Sequence, residues 1–74
     1  MKIYIRTSHS RKTCSSCGAR EEDLFTAGFY RHAKYRSIIA ARQALCEACL
    51  TDFLATLRGP VELVDQTGGA YHPD

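Results

Sequence analysis

The sequence contains no run approaching the roughly 18 apolar residues that a membrane-crossing helix requires, so a helical membrane span is excluded. Its first residues, Met1 to Arg6, alternate apolar and polar side chains instead of forming the apolar stretch of a signal peptide. Export is therefore not expected, and the expected location is a reducing cytoplasm. There is no Ser/His/Asp order, no paired carboxylate cluster and no glycine-rich phosphate loop, so an enzyme is not expected. Tryptophan and asparagine are absent, and there is no low-complexity tract. Length is short as well. At 74 residues the chain holds one domain, with no room for a cleft between domains. A chain of this size buries too small a share of its surface for an ordinary core to suffice, and it needs a disulfide, a metal or a partner.

Four cysteines indicate which of these applies. Cys14 and Cys17 form one CxxC pair, Cys46 and Cys49 a second, and 28 residues lie between them. A CxxC turn presents two thiolates to one ion, and two such turns complete the tetrahedral set that structural zinc takes. The interval exceeds the compact zinc spacing, leaving room for a hairpin that returns the chain to the metal. Two disulfides or two redox pairs are the lesser alternative in a small cytosolic chain, and the spacing fits neither common ferredoxin run. His9 lies five residues before Cys14 and is a conceivable substitute ligand. His9, His32 and His72 are otherwise read as exposed polar residues, since a general base needs an oriented partner.

Around the cysteines the elements read as a small α+β domain. Residues 2–6 form a strand with Ile3 and Ile5 on one face, and 7–13 a polar loop. Gly18 follows the Cys14–Cys17 knuckle, where a tight turn needs positive φ. Residues 24–30 and 35–43 read as hairpin arms around a basic tip. Residues 37–45, which overlap the second arm, fit strand by topology and helix by alanine content. Leu50, Phe53, Leu54 and Leu57 repeat at i, i+3, i+4 and i+7 and predict a helix with its apolar face on the core, stopped by Gly59 and Pro60. Cys49 falls in that helix's first turn, where the positive end favours thiolate. Residues 61–64 suggest another short strand. The domain is read as residues 1–65, with 66–74 as a flexible tail.

Charge is divided unevenly. Residues 1–42 carry nine Lys or Arg against three acidic residues, a formal +6, and residues 43–74 carry one against five, a formal −4. Four thiolates on one Zn²⁺ would add −2 to the formal total of +2. A basic first half suits phosphate or an acidic protein patch. Tyr35 among Lys34 and Arg36, with Arg31 just before, interleaves charge and ring as a strand-tracking surface would, or as a solvated hairpin tip would. Glu21, Glu22 and Asp23 interrupt the basic surface and favour a protein or a mixed nucleoprotein partner. The expected contact residues are Lys2, Arg6, Arg11, Lys12, Arg31, Lys34, Tyr35 and Arg36. Tyr4, Phe25, Phe29 and Tyr30 are read as core aromatics.

The run from Cys14 through Gly18, then Leu24, Phe25, Phe29 and Tyr30, a basic stretch, and Leu45 through Cys49 ahead of a helix resembles a treble-clef zinc finger over about residues 13–58. That resemblance implies a knuckle, a β-hairpin and a helix sharing one zinc, preceded here by a short N-terminal strand. Some treble clefs are nucleases with a His-Asn-His signature, but a chain without asparagine does not carry it. The short length, basic N-terminal strand and single metal site also resemble small phage-encoded proteins that bind host RNA polymerase, such as antiterminators of phages infecting Xanthomonas. This second resemblance implies a regulator in the host cytoplasm that docks on RNA polymerase and modulates initiation or termination, contacting nucleic acid in the same complex. The alternative is a zinc module that binds nucleic acid directly.

Overall fold

A computed structural model describes residues 1–9, 13–20, 23–31, 34–40 and 43–71. Strand β1 (Lys2–Ser8) follows the alternation of the sequence, placing Ile3 and Ile5 in the interior with no exposed surface. Strands β2 (Leu24–Arg31) and β3 (Lys34–Ser37) form the predicted antiparallel hairpin, with Tyr30 opposite Tyr35. Helix α1 (Glu47–Ala55) follows Cys46, and strand β4 (Glu62–Asp65) closes the order of elements. The sheet order is β3-β2-β1-β4. β1 pairs antiparallel with β2, and parallel with β4, which puts Lys2 opposite Glu62 and Ile5 opposite Asp65. The fold is thus a small α+β unit with a four-stranded sheet and one short helix. Among the described residues, no helix is long and apolar enough to cross a membrane.

The core forms where the helix meets one face of the sheet. Ile3, Ile5, Phe25, Ala27 and Leu50 are all buried, and Phe53, Leu54 and Leu57 pack against them while remaining partly exposed. Cys14 and Cys46 belong to the same buried cluster, so the interior is continuous with the cysteine site.

Several boundaries differ from the sequence reading for local reasons. β1 runs on through Thr7 and Ser8, because β2 is long enough to pair Ser8 with Leu24. β3 ends at Ser37, where the Oγ donates to the carbonyls of Ala27 and Ile39 and turns the chain away. Residues 38–40 and 43–44 are neither helix nor strand. The helix stops before Gly59, because the Thr56 amide and hydroxyl both donate to the Phe53 carbonyl and tighten the last turn. Gly59, at φ +88°, shapes the following loop. Beyond β4 the chain returns to the body. The Gln66 amide donates to the Ile5 carbonyl, and Tyr71 is 6% exposed, with its hydroxyl 2.8 Å from Thr51 Oγ1 and its ring edge-on to Phe25. The part of the predicted tail from 66 to 71 therefore packs on the domain, and residues 72–74 lie outside the described residues.

Candidate metal centre

Each cysteine pair is positioned by a different local structure. In the knuckle, the Cys14 amide donates to the Ala19 carbonyl and the Gly18 amide to the Cys14 carbonyl. Gly18 adopts φ +76°, the left-handed conformation that closes the turn without a Cβ penalty. A bridge between Thr13 and Arg20 holds the knuckle's base. The amides of Ser16 and Cys17 approach Cys14 Sγ at 3.4 and 3.5 Å. In the second pair, Cys46 is the N-cap of α1 and Cys49 lies in the first turn. The Cys49 amide turned toward the Cys46 sulfur and the positive helix end favour sulfur as an anion there.

Two tethers bring the pairs together across 28 residues. Phe25 and Leu45 exchange backbone hydrogen bonds of 2.8 and 2.9 Å, fastening the segment before Cys46 to β2. The Ser15 amide then donates to the Ala44 carbonyl, and the Ala44 amide approaches Ser15 Oγ, fastening the knuckle to that segment. The sequence reading did not single out Ser15 or Ala44, because a backbone tether carries no residue-type signature beyond a hydroxyl between two cysteines.

The sulfurs of Cys14, Cys17, Cys46 and Cys49 all lie within 4.8 Å of one another. Cys17 Sγ and Cys46 Sγ, from different pairs, are 3.8 Å apart. A tetrahedron of thiolates about 2.3 Å from a central ion has edges of about 3.8 Å, so the cluster matches an ion site with a slight expansion. All four cysteines are free, and the contact between pairs makes them one cluster rather than two separate dithiols. Cys14 and Cys46 are buried, Cys49 is half-buried and Cys17 is exposed. His9 is exposed and is not among the clustered ligands. His32 and His72 lie outside the described residues.

Crowding four sulfurs sets their protonation against one another. Burial raises the Cys14 thiol, but the amides of Cys17, Cys46 and Ser16 turned toward its sulfur outweigh this and bring it down to about 6. The Cys49 amide favours the Cys46 thiolate, yet burial and the neighbouring sulfurs of Cys17 and Cys14 push that thiol up. The sulfurs of Cys46, Cys17 and Cys14 push Cys49 up to about 12. A cation among them removes this conflict by stabilising thiolate at every position. Metal binding at neutral pH must therefore displace protons at least from Cys46 and Cys49. Calorimetric titration in buffers of different ionisation enthalpy is expected to show about two or more protons released per ion at pH 7. The apparent affinity should fall about a hundredfold or more per unit as pH drops below that. Binding without proton release would contradict this charge assignment.

Among the described residues, the predicted contact residues do not form one patch. β-alternation and register put Lys2, Arg6 and Tyr35 on the sheet face away from the core, whereas Lys34 and Arg36 alternate to the other side of β3. Arg31 is the last residue of β2, and Arg11 and Lys12 lie outside the described residues. Tyr4 and Tyr30, expected in the core, are instead on that outer face, and Tyr30 is 37% exposed. Phe25 is buried as expected. A groove of about 420 Å³ lies beside the metal centre, between α1 and the segments 38–40 and 43–45, with Ile38, Ile39, Leu45 and Phe53 as its apolar walls and Asp52 and Cys49 among its polar lining. Compared with known proteins, the chain matches no family model, no curated protein and no solved structure.

Proposed function

We propose that the chain is a small zinc-binding regulator that docks on a transcription complex through a protein partner, RNA polymerase, and modulates initiation or termination. In this reading the metal is zinc, and the knuckle, the β2–β3 hairpin and α1 make a treble clef. The protein acts by binding rather than catalysis, in the cytoplasm of the cell that holds the polymerase.

The observation that supports a protein partner is the groove beside the metal centre. Its aliphatic and aromatic walls suit apolar side chains of a partner, and Asp52 offers a charged group for orientation. Because Cys49 lines it, the groove is shaped by the same helix turn that holds the metal. The choice of RNA polymerase rests on the resemblance of size, basic N-terminal strand and single metal site to phage polymerase-binding proteins.

The test is capture from bacterial lysate after nuclease treatment, read by mass spectrometry, with Ala40→Arg as the groove variant. Ala40 is an exposed residue of the groove wall, so a long charged side chain there obstructs the groove without removing a core contact. Wild type is expected to retain polymerase subunits despite nuclease, and Ala40→Arg to lose them while keeping its metal and its circular dichroism. Loss of all protein partners on nuclease treatment would overturn the reading.

A further inference from the structure

The face of the sheet opposite the helix carries a set of side chains that neither the core nor the metal uses. Tyr4, Arg6, Thr26, Tyr30 and Tyr35 share this face by register. The tyrosines are packed edge to face, with ring centres 4.7 Å apart for Tyr4 and Tyr30 and 5.9 Å for Tyr30 and Tyr35. The Arg6 guanidinium lies over both Tyr30 and Tyr35, at 4.8 and 4.2 Å from the ring centres. Its Nε donates to Gln66 Oε1 at 3.2 Å. Tyr35 lies across Gly28 and donates through its hydroxyl to Thr26 Oγ1. A Cβ at Gly28 would fall 2.6 Å from the Tyr35 ring and would collide with the Arg36 carbonyl, so only glycine lets this ring settle on the sheet.

The result is a rigid aromatic and cationic platform. Tyr30 is held by two rings and a guanidinium, yet it keeps more than a third of its surface in solvent. Rings fixed in advance lose little freedom when a flat group stacks on them. Arg6 spends one of its five donors on Gln66, leaving the rest of the fork for an anion. Lys2 lies on the same face, ion-paired at 3.6 Å with Glu62, whose carboxylate shares that face. The chemistry is aromatic, hydroxylic and cationic, with Val64 as the aliphatic neighbour of Tyr4. This differs from the aliphatic groove beside the helix, and it suits nucleobases and phosphates better than apolar side chains.

We propose that this open sheet face binds single-stranded nucleic acid, with unpaired bases stacking on Tyr30 and Tyr4 and the phosphate backbone drawn to Arg6. Unpaired bases are required because a duplex hides the ring faces that stacking uses. The inference goes beyond the protein-docking reading and uses a different surface.

The test is fluorescence anisotropy of the metal-loaded full chain with labelled oligouridine and oligothymidine of about 12 nucleotides, against a duplex of equal length. Single strands are expected to bind more tightly than duplex, with affinity falling as salt rises from about 50 to 200 mM. Tyr30→Ala and Arg6→Ala should each weaken binding about 5- to 150-fold. Arg58→Ala removes one positive charge from an exposed position past the helix, and it should bind as wild type. Should Tyr30→Ala fold poorly, Tyr30→Leu keeps apolar bulk without a π face and should still bind weakly, while Tyr30→Phe restores binding. Ala40→Arg should leave oligonucleotide binding intact, which separates this proposal from the groove. No binding at the lower salt, tighter binding to duplex, or equal losses in Arg6→Ala and Arg58→Ala with none in Tyr30→Leu would overturn it. Polymerase capture that depends on Tyr30 without oligonucleotide binding would also overturn it and assign the face to a protein.

Discussion

Removal of the metal is expected to unfold the protein. A domain of 74 residues has about 4–11 kcal/mol of net stability. Binding of a structural zinc by four thiolates is worth about 10–16 kcal/mol at neutral pH, as large as or larger than that total. The four cysteines also lie where loss of a bound ion would do most damage. Cys14 and Cys46 are part of the buried cluster, and the knuckle reaches the rest of the body through the Ser15–Ala44 tether. Without a cation, Cys46 and Cys49 are pushed toward their protonated forms by the sulfurs beside them. Chelation at pH 7 should therefore abolish the sheet and helix signals in circular dichroism, and re-addition of zinc should restore them. Cys46→Ser removes a buried ligand and the N-cap sulfur together, and should behave as the chelated protein. A native spectrum that survives chelation would show that the core holds the fold without metal.

The second large effect is expected at Phe25. It is 1% exposed, its ring meets Tyr71, and its backbone is bonded both ways to Leu45. Phe25→Ala should cost about 3–5 kcal/mol, through lost burial and the cavity left behind. Because folding and metal binding are coupled, that loss should appear as an apparent zinc affinity weaker by about two to four orders of magnitude. The site itself lies outside the substitution, so the bound metal should keep its ligands. A competition titration with a chromophoric chelator reads the affinity directly. An unchanged affinity would mean that the cysteine cluster forms independently of the core behind it.

What could be read from the residues was whatever depends on local period or spacing. The alternation of Ile3 and Ile5, the two CxxC pairs, the positive φ at Gly18 and the helix face led by Leu50 are properties of neighbouring residues, and the structure shows each of them. The features that were not legible depend on contacts between distant segments. β4 is short and lies beside β1 only because its chain returns across some 60 residues, so parallel pairing had no local sign. Tyr71 looked like part of a polar tail, yet its ring fills a place against Phe25. Tyr4 and Tyr30 obey the strand period, but the period alone does not say which face the helix covers. Once Ile3 and Ile5 take the covered face, the tyrosines must take the open one.

The same reasoning separates the two candidate surfaces. The groove is built from the residues that follow the hairpin and from α1, and its character is apolar. The open sheet face is built from β1, β2 and β3, and its character is aromatic and basic. A regulator that holds a polymerase on one side and an unpaired strand on the other would use both without overlap.

The central claim is that one ion joins the two cysteine pairs and thereby organises the chain. X-ray absorption at the zinc edge of the purified, zinc-loaded protein, with metal counted per chain, tests it most directly. One zinc per chain surrounded by four sulfurs at about 2.3 Å is the predicted result. A shell containing nitrogen or oxygen, or a stoichiometry other than one, would contradict it.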